Sequence, residues 1–192
     1  MVNKRSLMYL LMILINLQSW TKADDISDFQ IEGMSIGDSA LDYFTKKEIR
    51  TEKKYRIKYP GSNKFYAITF GEYPKFKVYD SIQINVKKKD KKYTIYSISG
   101  INYYSDNIDK CLQQMELISD EIIKIFPDSS TTKRTKKHEY DKSGKSLIHQ
   151  YVFDMDSGDE VRAECYDWSK KMFNEHNLDD QLVVSIFSEK FS

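Results

Sequence analysis

Residues 108–126 constrain this chain more than any other stretch. Ile108, Cys111, Leu112, Met115, Ile118, Ile122, Ile125 and Phe126 recur at spacings of three and four, the rhythm of a helix with one wide apolar face. Asp106 or Asn107 supplies an N-cap, and Pro127 blocks continuation. A stripe that wide has to be covered, and its neighbours carry the other periodicity. Ile82, Ile84 and Val86 alternate with Ser81, Gln83 and Asn85, and Leu147, His149, Tyr151, Phe153 and Met155 share a face. Val161, Ala163 and Cys165 stand opposite Arg162 and Glu164. Period-two patterns of this kind mark half-buried strands. The expected class is α+β, with helices packed on one face of an antiparallel sheet.

Residues 64–104 read as a meander of three strands, with the lysine-rich 87–92 as a solvated hairpin tip and Pro60-Gly61-Ser62-Asn63 as the turn before it. Ser35 with Asp38 predicts a helix from Ile36, and Thr45 with Glu48 repeats the capping pattern for a second short helix or a kink. Strands are expected at 147–155, 161–165 and 182–187, with Asp156-Ser157-Gly158 as a turn. The polar stretch 128–145 reads as a long loop, a kind that is uncommon in compact domains unless it is functional or disordered. The plan is then about six strands in two halves, 26–104 and 105–192, each a helix followed by three strands.

The N-terminus reads as an export signal. Lys4 and Arg5 are followed by an apolar run from 7 to 17 and a polar end with Thr21 and Ala23 at small-x-small spacing, so cleavage is expected after Ala23. The run is too short for a bilayer-spanning helix of about 20 residues, and no transmembrane anchor is expected in the mature chain. Removing residues 1–23 takes away Lys4, Arg5 and Lys22 of 30 basic residues and none of the 29 acidic ones. The remaining 24–192 is enough for a single domain with its own core, periplasmic or secreted. The near balance of charge gives no sign of a nucleic-acid binder.

Two cysteines exist, Cys111 and Cys165. In an oxidising compartment an even pair points to a disulfide, and their positions on the apolar faces of a predicted helix and a predicted strand would tie helix to sheet. Zinc normally takes four ligands, and no His or Cys spacing here supplies them, so no metal or other cofactor is expected.

The remaining motifs fall to simpler readings. Ser143-Gly144-Lys145-Ser146 imitates the end of a phosphate-binding loop, but Glu139 stands where the first glycine is needed. The acids at Asp154, Asp156 and Asp159 resemble a calcium loop whose closing glutamate would fall on Cys165; a hairpin turn explains them with fewer assumptions. A Cys165 and His149 nucleophilic pair would project to one buried face, and a disulfide would remove its thiolate. That leaves a concentrated basic run, Lys133, Arg134, Lys136 and Lys137, together with aromatic residues near strand ends, among them Tyr166 and Trp168.

The segments Ala23-Asp24-Asp25-Ile26, Asp28-Phe29-Gln30-Ile31-Glu32-Gly33-Met34-Ser35-Ile36-Gly37-Asp38-Ser39, Asp141-Lys142-Ser143-Gly144-Lys145-Ser146 and Cys165-Tyr166-Asp167-Trp168-Ser169 resemble uncharacterised exported proteins of marine alphaproteobacteria. More remotely, Ile31-x-Gly33-Met34-Ser35 before a predicted helix is similar to the start of the small outer-membrane barrel-assembly lipoprotein and β-lactamase-inhibitor-like folds. That likeness implies helices on an antiparallel sheet. It implies no lipid anchor here, because no cysteine follows the leader.

These readings combine into one functional expectation. The chain is a non-enzymatic periplasmic module that binds an envelope protein or an anionic envelope component through Lys133, Arg134, Lys136, Lys137, Tyr166 and Trp168. The alternative is a small hydrolase-like enzyme with a site assembled from residues such as His149, Glu164 and Asp167.

Overall fold

The computed structural model describes residues 26–58, 64–71, 73–105 and 107–191. The stretch expected to be an export signal, the turn expected at 60–63 and the alternative cap residue Asp106 lie outside the described residues.

Among the described residues there are three α-helices: α1 (Lys46–Glu52), α2 (Ile108–Ile125) and α3 (Lys170–His176). Thr45 and Glu48 form the expected capping box on α1, with Thr45 N–H donating to Glu48 Oε2 (2.6 Å) and Glu48 N–H to Thr45 Oγ1 (3.2 Å). Asn107 caps α2 by accepting from Lys110 N–H (3.2 Å). The helix expected from Ile36 is absent. Gly37 turns at φ 92 and cross-links this segment to Ile95, with Gly37 N–H donating to Ile95 O and Ile95 N–H to Asp38 O, both at 2.9 Å. The first cap is Ser39, which starts a single 3₁₀ turn, Ala40–Asp42.

Among the described residues eight antiparallel strands form one open sheet: β1 (Ile57–Lys58), β2 (Phe65–Gly71), β3 (Ser81–Lys87), β4 (Ser97–Tyr103), β5 (Ser130–Lys137), β6 (Leu147–Asp154), β7 (Glu160–Asp167) and β8 (Gln181–Phe187), in the spatial order β1-β2-β3-β4-β8-β7-β6-β5. Seven are full strands and β1 is a two-residue edge. The count exceeds the six expected chiefly because 130–137, read as loop, is a strand whose partner is β6. Each half is a helix followed by an antiparallel meander, and the last strands of the two meanders meet at β4 and β8, with Ile98 opposite Ile186 and Gly100 opposite Val184. The halves share one sheet.

One face of that sheet is the core. Ile68, Ile82, Ile84, Ile98, Phe153, Val161, Ala163, Leu182, Val184 and Ile186 pack there against Cys111, Met115 and Ile122 of α2 and Ile49 of α1. Cys111 and Cys165 form the expected disulfide, with Cα atoms 6.0 Å apart. It joins the first turn of α2 to the middle of the sheet.

Among the described residues no helix is long and apolar enough to cross a membrane.

Candidate functional site

Because side chains alternate along a strand, the register decides which residues share the face turned away from the core. On β5, β6 and β7 these are the even-numbered residues. The pairs Arg134↔Gln150 and Gln150↔Glu164 form one row, and Lys136↔Ile148 and Ile148↔Tyr166 form the next. The basic run is therefore divided. Arg134 and Lys136 lie on the second face with Tyr166, whereas Lys133 and Lys137 lie on the core side.

Lys133 is spoken for. Its Nζ donates to Glu116 Oε1 of α2 at 2.5 Å and stands 4.9 Å from the Tyr151 ring centroid, while Tyr151 Oη donates to Glu116 Oε2 at 2.6 Å. The Lys133 and Tyr151 hydrogen bonds hold the Glu116 carboxyl below its ordinary range, and Glu116 holds the Lys133 ammonium above its own. Lys137 lies against the turn at Gly144.

Trp168 and Tyr166 are brought to the end of β5 by a loop anchor. Asp141 Oδ2 accepts from Ser146 N–H (3.1 Å), Ser146 Oγ (2.7 Å) and Ser169 Oγ (2.9 Å), and Asp141 Oδ1 accepts from Ser143 N–H (2.9 Å). Hydrogen bonds from Ser146 and Ser143 push this carboxyl well below the usual carboxylate range. Ser169 is also the N-cap of α3, so one aspartate ties the β5–β6 connection to the β7–α3 junction. That junction sets the aromatic group in place: the His138 ring centroid lies 4.3 Å from Trp168 and 5.6 Å from Tyr166, and Tyr166 stacks beside Trp168 at 6.1 Å. Burial, with Lys136 beside it, lowers the His138 pKa, which favours the neutral imidazole in this aromatic cluster. Beyond Trp168 a cavity of about 200 Å³ is lined by Trp168, Lys170, Phe173, Asn174, Leu178 and Asp180. The shielded indole Nε1 of Trp168 has no hydrogen-bond partner among the described residues.

The middle of the second face is polar and shielded. Gln150 is 1% exposed, and neither amide atom has a hydrogen-bond partner among the described residues. Glu164 is 5% exposed. Burial raises its pKa, opposed by Arg162 and Lys136, and Tyr166 Oη donates to its Oε2 at 3.3 Å. Arg162 pairs with Glu160 and lies over the Phe187 ring, 4.8 Å from its centroid.

The residues named for the enzyme alternative do not converge. His149 and Asp167 are on the core side of the sheet and Glu164 is on the other. His149 Nδ1 bonds Thr135 Oγ1 at 3.0 Å, and Cys165 is held in the disulfide. Among the described residues no group of three His, Cys, Asp or Glu side chains could hold a metal ion. Sequence reading missed Gln150, Glu164 as a buried acid and the aromatic cluster around His138; the alternation of Arg162 and Glu164 with Val161 and Cys165 was the available signal that a second, polar face exists.

The chain matches no family model, no curated protein and no solved structure.

Proposed function

We propose that this chain is an exported, non-enzymatic binding module that engages an anionic partner in the cell envelope through Arg134, Lys136, Tyr166 and Trp168. One observation carries the reading. Two segments some thirty residues apart in sequence, the basic run and the aromatic pair, meet on one face because β6 sets Lys136 and Tyr166 in a common row. A strand spacing of about 4.8 Å puts their backbones roughly 10 Å apart, so one extended ligand can touch both. Cations at an exposed rim steer and select a partner, and flat aromatic surfaces supply contact area with little side-chain entropy to lose.

The test is binding to a labelled glutamate-rich peptide at low ionic strength. The R134A/K136A double variant is expected to lose most of the affinity, while K89A/K91A on the β3–β4 hairpin tip retains it. Equal loss in both variants would mean that only overall charge matters, and the reading would fall.

A further inference from the structure

We infer that β5 accepts an additional strand: an extended acidic segment of a partner polypeptide that pairs with its outer edge. This rests on the binding reading above and adds the mode of engagement and the chemistry of the partner.

The two edges of the sheet differ. One ends in β1, two residues long among the described residues. The other ends in β5, eight residues long and exposed at every position. Its register with β6 runs unbroken from Ser130↔Asp154 to Lys137↔Leu147, so no bulge twists the edge away, and Ser130–Lys137 contains no proline. Among the described residues no strand pairs with its outer side. An edge of this kind is a template for another strand.

The phase of the free edge follows from one bond. His138 N–H donates to Ser146 O at 2.9 Å, so the even-numbered residues of β5 turn their amides to β6. In an antiparallel ladder inward and outward groups alternate. Thr131, Lys133, Thr135 and Lys137 therefore turn their N–H and C=O groups outward, ready for strand addition, in which main-chain bonds give affinity and side chains give specificity.

Charge selects the occupant. Lysines on an edge strand normally repel further strands. Here Arg134 and Lys136 on one face, with Lys137 on the other, turn that repulsion into cross-strand attraction when the incoming strand is acidic. A second copy is a poor occupant, because twofold pairing centred on Arg134 sets it against itself. The strand leads at its far end to His138, whose ring lies tilted against Trp168, which extends the track beyond the ladder.

The test uses the full-length mature protein and an eight-residue peptide alternating glutamate with threonine or valine. Two partners serve as controls: the same sequence with backbone N-methylation at alternate residues, in both phases, and inorganic polyphosphate. Strand addition predicts protection of the Thr131, Lys133, Thr135 and Lys137 amides from hydrogen exchange, and at least about tenfold weaker binding of one methylated phase. T135P, which removes one outward N–H, should weaken the peptide as well; methylation on the ligand side makes the result independent of that variant's folding. If the peptide binds but both methylated forms bind equally, or the four amides stay unprotected, strand addition is overturned and the anionic-surface reading stands. If neither peptide nor polyphosphate binds, both fall. Protection of the four amides in the free protein, together with a dimer in sedimentation, would assign the edge to a second copy and overturn the inference.

Discussion

Lys133 and Arg134 are adjacent in sequence and stand on opposite faces of the sheet: Lys133 is bonded to Glu116 of α2, while Arg134 shares the other face with Gln150 and Glu164. Their substitutions should therefore separate. Both partners of the Lys133–Glu116 pair are substantially exposed, so K133A is expected to cost less than about 1 kcal/mol of stability and to leave binding of an acidic peptide within about twofold. R134A should leave stability within about 0.5 kcal/mol and weaken the peptide several-fold. Urea unfolding and a binding titration on the same two variants check this, and a reversed order would contradict the face assignment.

Gly100 on β4 is the floor for the Tyr79 ring. A Cβ on Gly100 would lie 2.5 Å from Tyr79 Cδ1, far inside contact distance, with the ring packed against the core. G100A is expected to destabilise by about 1–3 kcal/mol, the usual consequence of overpacking. Because the clash is specific to one ring, G100A in a Y79L background should be milder, with a coupling of about 0.5 kcal/mol or more in a double-mutant cycle. Additive effects would show that the strain lies elsewhere.

The elements that could be read from the sequence are those whose own side chains bury against the core. Ile82, Ile84 and Val86 announce β3, and the stripe from Cys111 to Ile122 announces α2, because each pattern records the surface it packs on. β5 gave no such record. Its side chains are all exposed, and it is a strand because β6 pairs with its backbone; the threonines at 131, 132 and 135 were the faint sign of β preference. The seven-residue α3 was missed for a related reason, having Met172 as its single buried residue. Ser35 looked like a cap, but the bonds between Gly37, Asp38 and Ile95 overrode it. At the candidate site, composition singled out Arg134, Lys136, Tyr166 and Trp168. Their meeting was not legible, since it depends on the register of two successive hairpins.

Gln150 is a buried polar group. At 1% exposure, with neither amide atom bonded among the described residues, it carries the desolvation penalty of an unsatisfied group, about 1–3 kcal/mol. Q150M keeps the length and removes the polarity. It is expected to raise the urea midpoint, by the equivalent of about 1 kcal/mol. A lowered midpoint would mean that the amide has a partner in solution.

Glu164 should make stability depend on pH in the opposite sense from an ordinary ion-paired acid. Burial raises its folded pKa above the ordinary 4.5, so the folded state binds the proton more tightly than the unfolded chain does. Above the folded pKa the full penalty of a buried carboxylate is present. As pH falls through that value towards 4.5, the penalty is relieved and this contribution to stability increases. E164Q is uncharged throughout. It is expected to be more stable than the wild type at neutral pH, with the gap closing on acidification over that window. Parallel stability curves for the two proteins from neutral pH down past 4.5 would contradict the assignment.

The disulfide makes a contribution of a different kind. Cys111 and Cys165 are fully buried and 54 residues apart in sequence, so the bond closes a long loop in the unfolded chain while the folded state holds the two segments together anyway. Loop entropy for that separation corresponds to about 4 kcal/mol, with measured bonds commonly at about 2–4. Burial also keeps reductant from the folded bond, so reduction proceeds through opening of the structure. Unfolding in urea with dithiothreitol should therefore give a midpoint well below that of the oxidised protein once equilibrium is reached, with slow kinetics under native conditions. The C111A/C165A double variant should unfold at a low midpoint with or without reductant. Because Cys165 sits between His149 and Leu182 in the sheet and Cys111 lies in the first turn of α2, the reduced protein should lose exchange protection first in α2 and last in the β4–β8 pair. An oxidised protein whose midpoint does not move in reductant would show that the crosslink contributes nothing to stability.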